Sequence, residues 1–295
     1  MNTREIETAR QVPAIYRRRI GDIVVTALSD GYSPSLITRL RNIDTETAQA
    51  MLVRAFRPPA PRVSVNVYAI EHRGRLALVD TGSGDSMGPT MGFLRTQMEA
   101  AGLDPMRVDT ILLTHMHPDH SNGMTDDDGT PRFPNAKVRV HRKEIAHWTD
   151  DAQMAVASER AKEKYFLANR RQLEIHRERL QPFDGGEVFP GVSAVPIPGH
   201  TPGHTAYMVA SGDDRLLIWG DLVHHPDIQI ELPHVGMEFD SDLDLAIETR
   251  RRILEMAANE RLLVTGMHLH FPGFAHVRKQ GDGFVLHPEG WVHTL

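Results

Sequence analysis

The chain has 295 residues, and a composition that is 40% hydrophobic and 24% charged is typical of a folded globular protein. The net charge of −6 disfavours a nucleic-acid partner, and the absence of cysteine excludes disulfides, thiolate nucleophiles and cysteine-ligated metals. We find neither a signal-peptide core nor a membrane-spanning apolar run, and therefore expect a cytoplasmic protein that does not contact a membrane.

Strands and helices are predicted to alternate in the first half of the chain. One helix, over 87–101, is predicted from the helical spacing of the apolar residues Met91, Leu94 and Met98, and Gly102 marks its end. The predicted elements are a strand over 20–28, a hairpin of strands 63–71 and 75–79, a helix over 87–101, and strands over 108–113 and 138–140.

The second half continues this alternation. We predict a charged helical insertion around 145–185, strands over 192–197, 207–209 and 216–219, a helix over 243–256, a strand over 262–265, and a final hairpin within 274–292. No composition break marks a linker, so we predict one domain over 20–295 behind an N-terminal extension over 1–19. Hairpins in both halves, with covering helices, indicate a layered α/β sandwich.

The densest group of candidate metal ligands directly follows the strand predicted at 108–113. His115 and His117 are two residues apart and can point the same way, while Asp119 and His120 come about one turn later. A packed or solvated role explains one such histidine, but it does not explain the whole cluster. The carboxyl ends of strands are where α/β architectures collect ligands.

Three further candidates also follow predicted strands. His200 lies in a turn rich in glycine and proline, Asp221 follows Trp219-Gly220, and His268 follows Gly266-Met267. Each is a weak signal alone, but together with the first cluster they complete a set of ligands. A rigid scaffold presents a site in this way, from the ends of several strands.

This set suits two divalent metals, which need nitrogen and oxygen ligands and a bridging carboxylate. Metal-bound water has a pKa near 7, so hydroxide is available at neutral pH and the chemistry indicated is hydrolysis. Zinc suits ligands of this kind, and cobalt, manganese and iron also fit. We predict the ligands His115, His117 and His200 for one metal, Asp119, His120 and His268 for the other, and Asp221 as the bridge.

The motif His-x-His-x-Asp-His, with the distal His200, Asp221 and His268, resembles that of the metallo-β-lactamase superfamily. Asp80, in Val79-Asp80-Thr81-Gly82, matches the strand-end aspartate of that superfamily. The resemblance extends over residues 20–290 and implies its four-layer αβ/βα metallo-β-lactamase sandwich. It places the last ligand at His268, with His270 as the alternative.

Finer motifs are similar to the methyl parathion hydrolase group and its relatives, the quorum-quenching N-acyl-homoserine lactonases. They include Ser29-Asp30-Gly31, Ser64-Val65-Asn66 and Phe239-Asp240-Ser241-Asp242. That group is dinuclear and usually dimeric, so the resemblance implies two divalent metal ions per chain and a homodimer. We expect Asp80 to orient a ligand, and we expect His204, His224 and His276 to support the ligands or to pack rather than bind metal.

The mechanism we expect is attack of a metal-bridging hydroxide on an ester-type carbonyl, with Asp119 orienting the hydroxide and moving a proton to the leaving group. The favoured substrates are small molecules: lactones or esters, N-acyl-homoserine lactones first. An organophosphate triesterase ranks second, and a β-lactamase or thioester hydrolase third. The complete ligand set disfavours an iron redox protein and a non-catalytic binding module.

Substrate specificity must come from residues outside the metal ligands. The candidate walls are apolar or aromatic, and core or dimer surface is the alternative for each: Leu36, Ile37, Phe93, Trp148, Tyr165, Phe166 and Phe183.

Overall fold

The computed structural model describes residues 11–58 and 60–295. Part of the predicted N-terminal extension, residues 1–10, lies outside these ranges. The predicted boundary after residue 19 falls inside the first strand, Ile15–Ile20, which pairs antiparallel with Ile23–Leu28. The first sheet therefore includes residues of the predicted extension.

The strands of the first half form one sheet apart from β3. Within the described residues its order is β1-β2-β4-β5-β6-β7-β8, with parallel pairing from β5 onward. In chain order the strands are β1 (Ile15–Ile20), β2 (Ile23–Pro34), β3 (Leu40–Arg41), β4 (Arg62–His72), β5 (Arg75–Val79), β6 (Thr110–Leu112), β7 (Lys137–His141) and β8 (Leu180–Phe183).

The strands of the second half form a second sheet, and β13 pairs instead with β3. Over the described part of the chain its order is β16-β15-β14-β12-β11-β10-β9, and β12 and β14 are parallel. These strands are β9 (Gly186–Phe189), β10 (Val192–Pro196), β11 (Thr205–Ser211), β12 (Asp214–Ile218), β13 (Gly236–Met237), β14 (Leu263–Thr265), β15 (Ala275–Gln280) and β16 (Gly283–Pro288).

The helices lie between these strands along the chain. They are α1 (Thr45–Arg54), α2 (Leu94–Ala100), α3 (Pro118–Ser121), α4 (Arg142–Thr149), α5 (Asp151–Val156), α6 (Glu159–Ala161), α7 (Ala168–Ile175), α8 (Pro226–Gln229) and α9 (Leu243–Asn259). A π-helical segment, Lys162–Leu167, joins α6 to α7 without a break. None of the helices in the described ranges has the length and apolar character needed to cross a membrane.

Alternation along the strands separates the core into layers. In β4, Tyr68 and Ile70 pack between the two sheets, while Val67 and Ala69 face the other way, toward the cluster that contains Met98 of α2. On the far side of the second sheet, Ile253, Leu254 and Ala257 of α9 cover its outer face. Helices thus flank two stacked sheets, and the predicted four-layer sandwich is confirmed.

The helix predicted over 87–101 is wrong in its first half, because α2 begins only at Leu94. Gly88 and Gly92 have positive φ values of 93° and 90°, which are incompatible with a continuous helix. The buried carboxylate of Asp30 accepts hydrogen bonds from the backbone N–H groups of Gly92 and Leu94, at the start of α2. The predicted insertion also ends earlier than expected, since residues 180–183 form β8 of the first sheet.

Candidate metal centre

The structure brings the seven predicted metal ligands together at the carboxyl ends of β6, β10, β12 and β14. Their ligand atoms form two clusters, in each of which all atoms lie within 4.8 Å of one another. We name the first ligand group His115, His117, His200 and Asp221, and the second ligand group Asp119, His120 and His268.

Strand pairing places these ligands at one edge. The parallel pair β12 and β14 ends just before Asp221 and His268, so their carboxyl ends coincide. The two sheets are tied together there by a hydrogen bond of 2.9 Å from the backbone N–H of Thr205 to the carbonyl of Thr114. The ligand segments that follow β6 and β10 are therefore neighbours in space.

In the first ligand group, ring nitrogens converge with a carboxylate. His117 Nδ1 and His200 Nε2 are 3.0 Å apart. Asp221 Oδ2 lies 3.7 Å from His115 Nε2 and 3.5 Å from His200 Nε2. Burial of all four residues removes competing water from this cluster.

Asp221 also faces the second ligand group. Its Oδ1 lies 3.2 Å from His120 Nε2, and its Oδ2 lies 3.1 Å from His268 Nε2. Asp119 completes this group, with its two oxygens 3.7 Å from His120 Nε2 and 3.6 Å from His268 Nε2. The Asp221 carboxylate is thus placed between the two groups, as a bridging ligand requires.

Buried atoms at the centre match the needs of a bound cation. Among the described residues, His115 Nε2, His120 Nε2 and Asp221 Oδ1 are buried without a hydrogen-bond partner. Buried polar atoms rarely lack one, and divalent cations bound between the two groups would satisfy all three. Imidazole and carboxylate donors without thiolate suit zinc.

The histidines of the centre differ in the direction in which their pKa values are shifted. Burial, followed by the neighbouring histidines, holds the pKa values of His115 and His117 well below the ordinary value, so both rings are neutral as metal ligands must be. Burial also opposes the charged form of His120, but the carboxylates of Asp221, Asp119 and Asp80 outweigh it and raise the pKa of His120 well above the ordinary value. A cation and a proton therefore compete at His120.

Asp80 orients the ring of His120 through a hydrogen bond. It follows β5, and its buried carboxylate accepts hydrogen bonds from His120 Nδ1 at 2.7 Å, from the Thr114 backbone N–H at 2.7 Å and from the Thr114 hydroxyl at 2.8 Å. Asp80 has a φ of 61°, in the left-handed region that Asp and Asn adopt more readily than other residues with a Cβ. The carboxylate fixes the ring so that Nε2 points at the second ligand group.

Replacing Asp80 by Asn is expected to weaken metal binding at the second ligand group about 10- to 100-fold, as loss of such orienting bonds does in other metal sites. Asn keeps the backbone conformation but replaces one acceptor oxygen with a donor that faces N–H or O–H groups. Titration with a competing chelator measures the change, and Asp85→Asn, an exposed carboxylate nearby, is the control. Equal metal affinity in Asp80→Asn and the control would contradict this role.

Other ligands have orienting partners too. His200 Nδ1 donates to Asp240 Oδ1 at 2.8 Å, and His268 Nδ1 donates to the carbonyl of Ser64 at 2.7 Å. His204 Nε2 accepts the backbone N–H of Asp221 at 3.0 Å. Two of the motifs noted in the sequence, at 64–66 and 239–242, thereby supply partners to ligands.

Of the alternatives for the last ligand, His268 is the one that lies in the centre. The ring of His270 is instead bound to Asp227, with 2.7 Å between His270 Nε2 and Asp227 Oδ2, and 37% of its side chain is exposed. His276 is bonded to the carbonyl of Leu262, at the pairing of β14 with β15.

His224 lies closer to the centre than the sequence indicated. Its Nε2 is 3.0 Å from Asp221 Oδ2, and with Asp221 and His268 it forms a third cluster of potential ligand atoms. Burial lowers the pKa of His224 to about 4, so its ring is neutral.

The predicted pocket walls divide between the site and the core. Tyr165 contacts His117, with ring centroids 5.0 Å apart, and Trp148 lies edge-on to His117 at 5.7 Å. Phe239, which the sequence analysis noted only as a motif residue, approaches His200 at 5.8 Å. In the sequence, the signal that could have placed Phe239 near the site is its position immediately before Asp240, which bonds to His200.

Three other residues predicted as pocket walls pack in the hydrophobic core. Phe183 lies between the two sheets, Phe166 packs in the cluster of α4, and Ile37 packs in the cluster of α1. Apolar side chains from β8, the π-helical segment and the 3-10 helix before β3 are buried there because sheets and helices must cover their apolar faces. Leu36 and Phe93 are exposed, and their role in a pocket stays a prediction.

The family model of the metallo-β-lactamase superfamily matches residues 60–264. The chain belongs to this superfamily, as its motifs, its four-layer fold and its paired ligand groups together indicate.

Two solved structures are similar over nearly the whole chain. One is hydrolase AbOPH of the β-lactamase superfamily, which is 28% identical with a TM-score of 0.90, covering 96% of this chain and 100% of AbOPH. The other is AidC, a dizinc quorum-quenching lactonase in complex with a product, N-hexanoyl-L-homoserine; it is 26% identical with a TM-score of 0.90, covering 95% of this chain and 99% of AidC.

Curated relatives match a shorter part of the chain. An N-acyl homoserine lactonase from a Bacillus species is 27% identical over 195 residues, which is 65% of this chain and 65% of the lactonase. A probable metallo-hydrolase from Mycobacterium tuberculosis is 30% identical over 191 residues, or 54% of this chain and 57% of that protein. The matches therefore span between half and two thirds of the length of these relatives.

Proposed function

We propose that the protein is a dinuclear metal-dependent hydrolase that opens lactones, with N-acyl-homoserine lactones as its preferred substrates. The observation that carries this proposal is the Asp221 carboxylate between the two ligand groups, with Oδ2 3.5 Å from His200 of the first group and Oδ1 3.2 Å from His120 of the second. The similarity to AidC, whose bound product is an acyl-homoserine, supports the choice of substrate.

Divalent metals bound at the two ligand groups would supply Lewis acidity and lower the pKa of water toward neutrality. Asp119 is the ligand residue with the most exposed side chain, 16% against 3% for His268, so it is the carboxylate that a substrate meets first. We assign to Asp119 the orientation of the nucleophile and the transfer of a proton to the leaving alkoxide. Asp80 keeps His120 in place during these steps through its hydrogen bond to Nδ1.

The surroundings of the ligands suit an ester with an apolar chain. Tyr165 and Phe239 place aromatic rings beside His117 and His200. Burial, followed by the charge of Asp119, raises the pKa of Tyr165, so its hydroxyl stays protonated and is able to donate a hydrogen bond to a substrate oxygen. His224 and His268 also line a cavity of about 190 Å³.

A comparison of four substrate classes tests the proposal. Turnover is measured for an N-acyl-homoserine lactone, a neutral organophosphate triester, a cephalosporin and a glutathione thioester with one metal-loaded preparation. We expect the lactone to have the highest kcat/KM. A higher kcat/KM for the triester would replace the proposal with its nearest alternative, which uses the same metals.

We further propose two zinc ions per chain and a homodimer, as in the group that the sequence resembles. Elemental analysis of the purified protein measures the first, and light scattering coupled to gel filtration measures the second. One metal per chain, or a mass of about 33.1 kDa in solution, would contradict the respective proposal.

A further inference from the structure

Glu144 is a fully buried carboxylate in the first turn of α4, and it is not a member of either ligand group. Its Oε2 accepts the backbone N–H of Met116 at 3.1 Å and the indole N–H of Trp148 at 2.8 Å. Its Oε1 accepts the backbone N–H of Gly203 at 2.9 Å. Three donors therefore surround one carboxylate, which offsets the cost of burying its charge.

These donors belong to the two segments that carry the histidines of the first ligand group. Met116 stands between His115 and His117, and Gly203 stands three residues after His200. The third donor, Trp148, itself contacts His117, with ring centroids 5.7 Å apart. A single side chain thus joins the segment after β6 to the segment after β10.

Gly203 allows the second segment to approach α4 closely. A Cβ at this position would lie 2.7 Å from the backbone nitrogen of Glu144 and 2.9 Å from its Cγ. Both distances are shorter than ordinary van der Waals contact, so any larger residue would displace the segment from α4. The hydrogen bond of 2.9 Å from the Gly203 N–H to Glu144 Oε1 depends on this approach.

We propose that Glu144 is a positioning residue that sets the spacing between His117 and His200, whose ligand nitrogens lie 3.0 Å apart. The hydrogen bond from Thr205 to Thr114 joins the same two segments on one side, and Glu144 joins them on the other. The carboxylate holds the two backbones at the distance at which both imidazoles reach one cation. This inference rests on the proposed metal centre.

The substitution Glu144→Gln tests the role with little change of shape. The amide keeps one acceptor oxygen, but its NH2 group faces either Gly203 N–H or the N–H groups of Met116 and Trp148. We expect Co²⁺ affinity at the first ligand group to fall about 10- to 100-fold, in the range known for groups that orient ligands. The visible spectrum of the Co²⁺ protein should change, while the second ligand group keeps its metal.

Asp30→Asn is the matched control for stability. Asp30 is also a fully buried carboxylate, and it accepts the backbone N–H groups of Ser83, Gly92 and Leu94, none of which belongs to a ligand-bearing segment. We expect this variant to lower the thermal midpoint while leaving Co²⁺ affinity within about threefold of wild type. A loss of Co²⁺ affinity equal to that of Glu144→Gln would overturn the positioning role.

Gly203→Ala provides a second test if Glu144→Gln does not fold. It leaves the carboxylate intact and moves the segment, so Co²⁺ affinity at the first ligand group should fall in this variant too. Wild-type affinity in either folded variant would overturn the proposal. A wild-type protein that binds no Co²⁺ overturns both the metal centre and this role, whereas one that binds two Co²⁺ but opens no lactone overturns only the proposed activity.

Discussion

Replacement of Asp221 by Asn is expected to remove metal and activity together. The Asp221 carboxylate lies 3.5 Å from His200 of the first ligand group and 3.2 Å from His120 of the second. Burial opposes its charge, but His120 and His268 outweigh burial and hold the pKa of Asp221 well below the ordinary value. The anion is thus the form present at every working pH, and an amide lacks the charge that a bridge between two cations needs. We expect turnover to fall at least about 100-fold, beyond the effect of losing an orienting group.

Metal content and turnover should be measured on the same preparation of Asp221→Asn. Asp227→Asn is a suitable control, because Asp227 pairs with Arg57 and His270 outside the two ligand groups. The control should keep two metals per chain. Full activity with two metals in Asp221→Asn would contradict the assignment of the bridge.

The second large effect is expected from replacing His268, whereas replacing His270 should have little effect. We expect His268→Ala to lose the metal of the second ligand group, leaving one metal per chain and at least about 100-fold lower turnover. His270→Ala removes a half-buried ring that is bonded to Asp227, and it should change turnover by no more than about threefold. Elemental analysis and kcat for both variants test this pair.

The outcomes of the pair are distinct. Metal loss in His270→Ala with retention in His268→Ala would move the ligand role to His270 and require Asp227 to release it. Equal metal loss in both variants would show that the loop from 266 to 273 acts as a unit, which also contradicts the assignment to one histidine.

The clustering of the predicted metal ligands could be foreseen because these residues occur in short motifs that directly follow strands. Buried strands have a local signature, and their carboxyl ends converge at one edge of a sheet, so His115 and Asp221 were expected to meet although they are far apart in sequence. Asp80 was predicted from the resemblance to the superfamily, and it follows β5 and bonds to His120. The candidate ligands are recognised from local sequence, and the fold brings them together.

Features that depend on tertiary packing were less predictable. Phe183 and Tyr165 are both aromatic residues predicted as pocket walls, yet one lies between the sheets and the other against His117. Periodicity marks a side chain as apolar, but it does not say whether helix, sheet or cleft covers it. Glu144 was missed for a similar reason, because a carboxylate in a charged helical segment is normally solvated.

Backbone conformation explains the error at α2. The apolar spacing of Met91, Leu94 and Met98 fits a helix, but Met91 is instead bridged to Gly31 of β2. The Asp30 carboxylate then fixes where the helix begins. A carboxylate that is 64 residues away in sequence decides this boundary, and local propensity carries no such information.

Lactone ring opening with metal analysis in the same preparation tests the central claim most directly. Proton release is followed with N-acyl-homoserine lactones of short and long acyl chain, and paraoxon is run in parallel. We predict fast opening of the lactones by a protein that holds two metals per chain, with slower turnover of paraoxon. A fully metallated protein that opens neither lactone would contradict the proposed function.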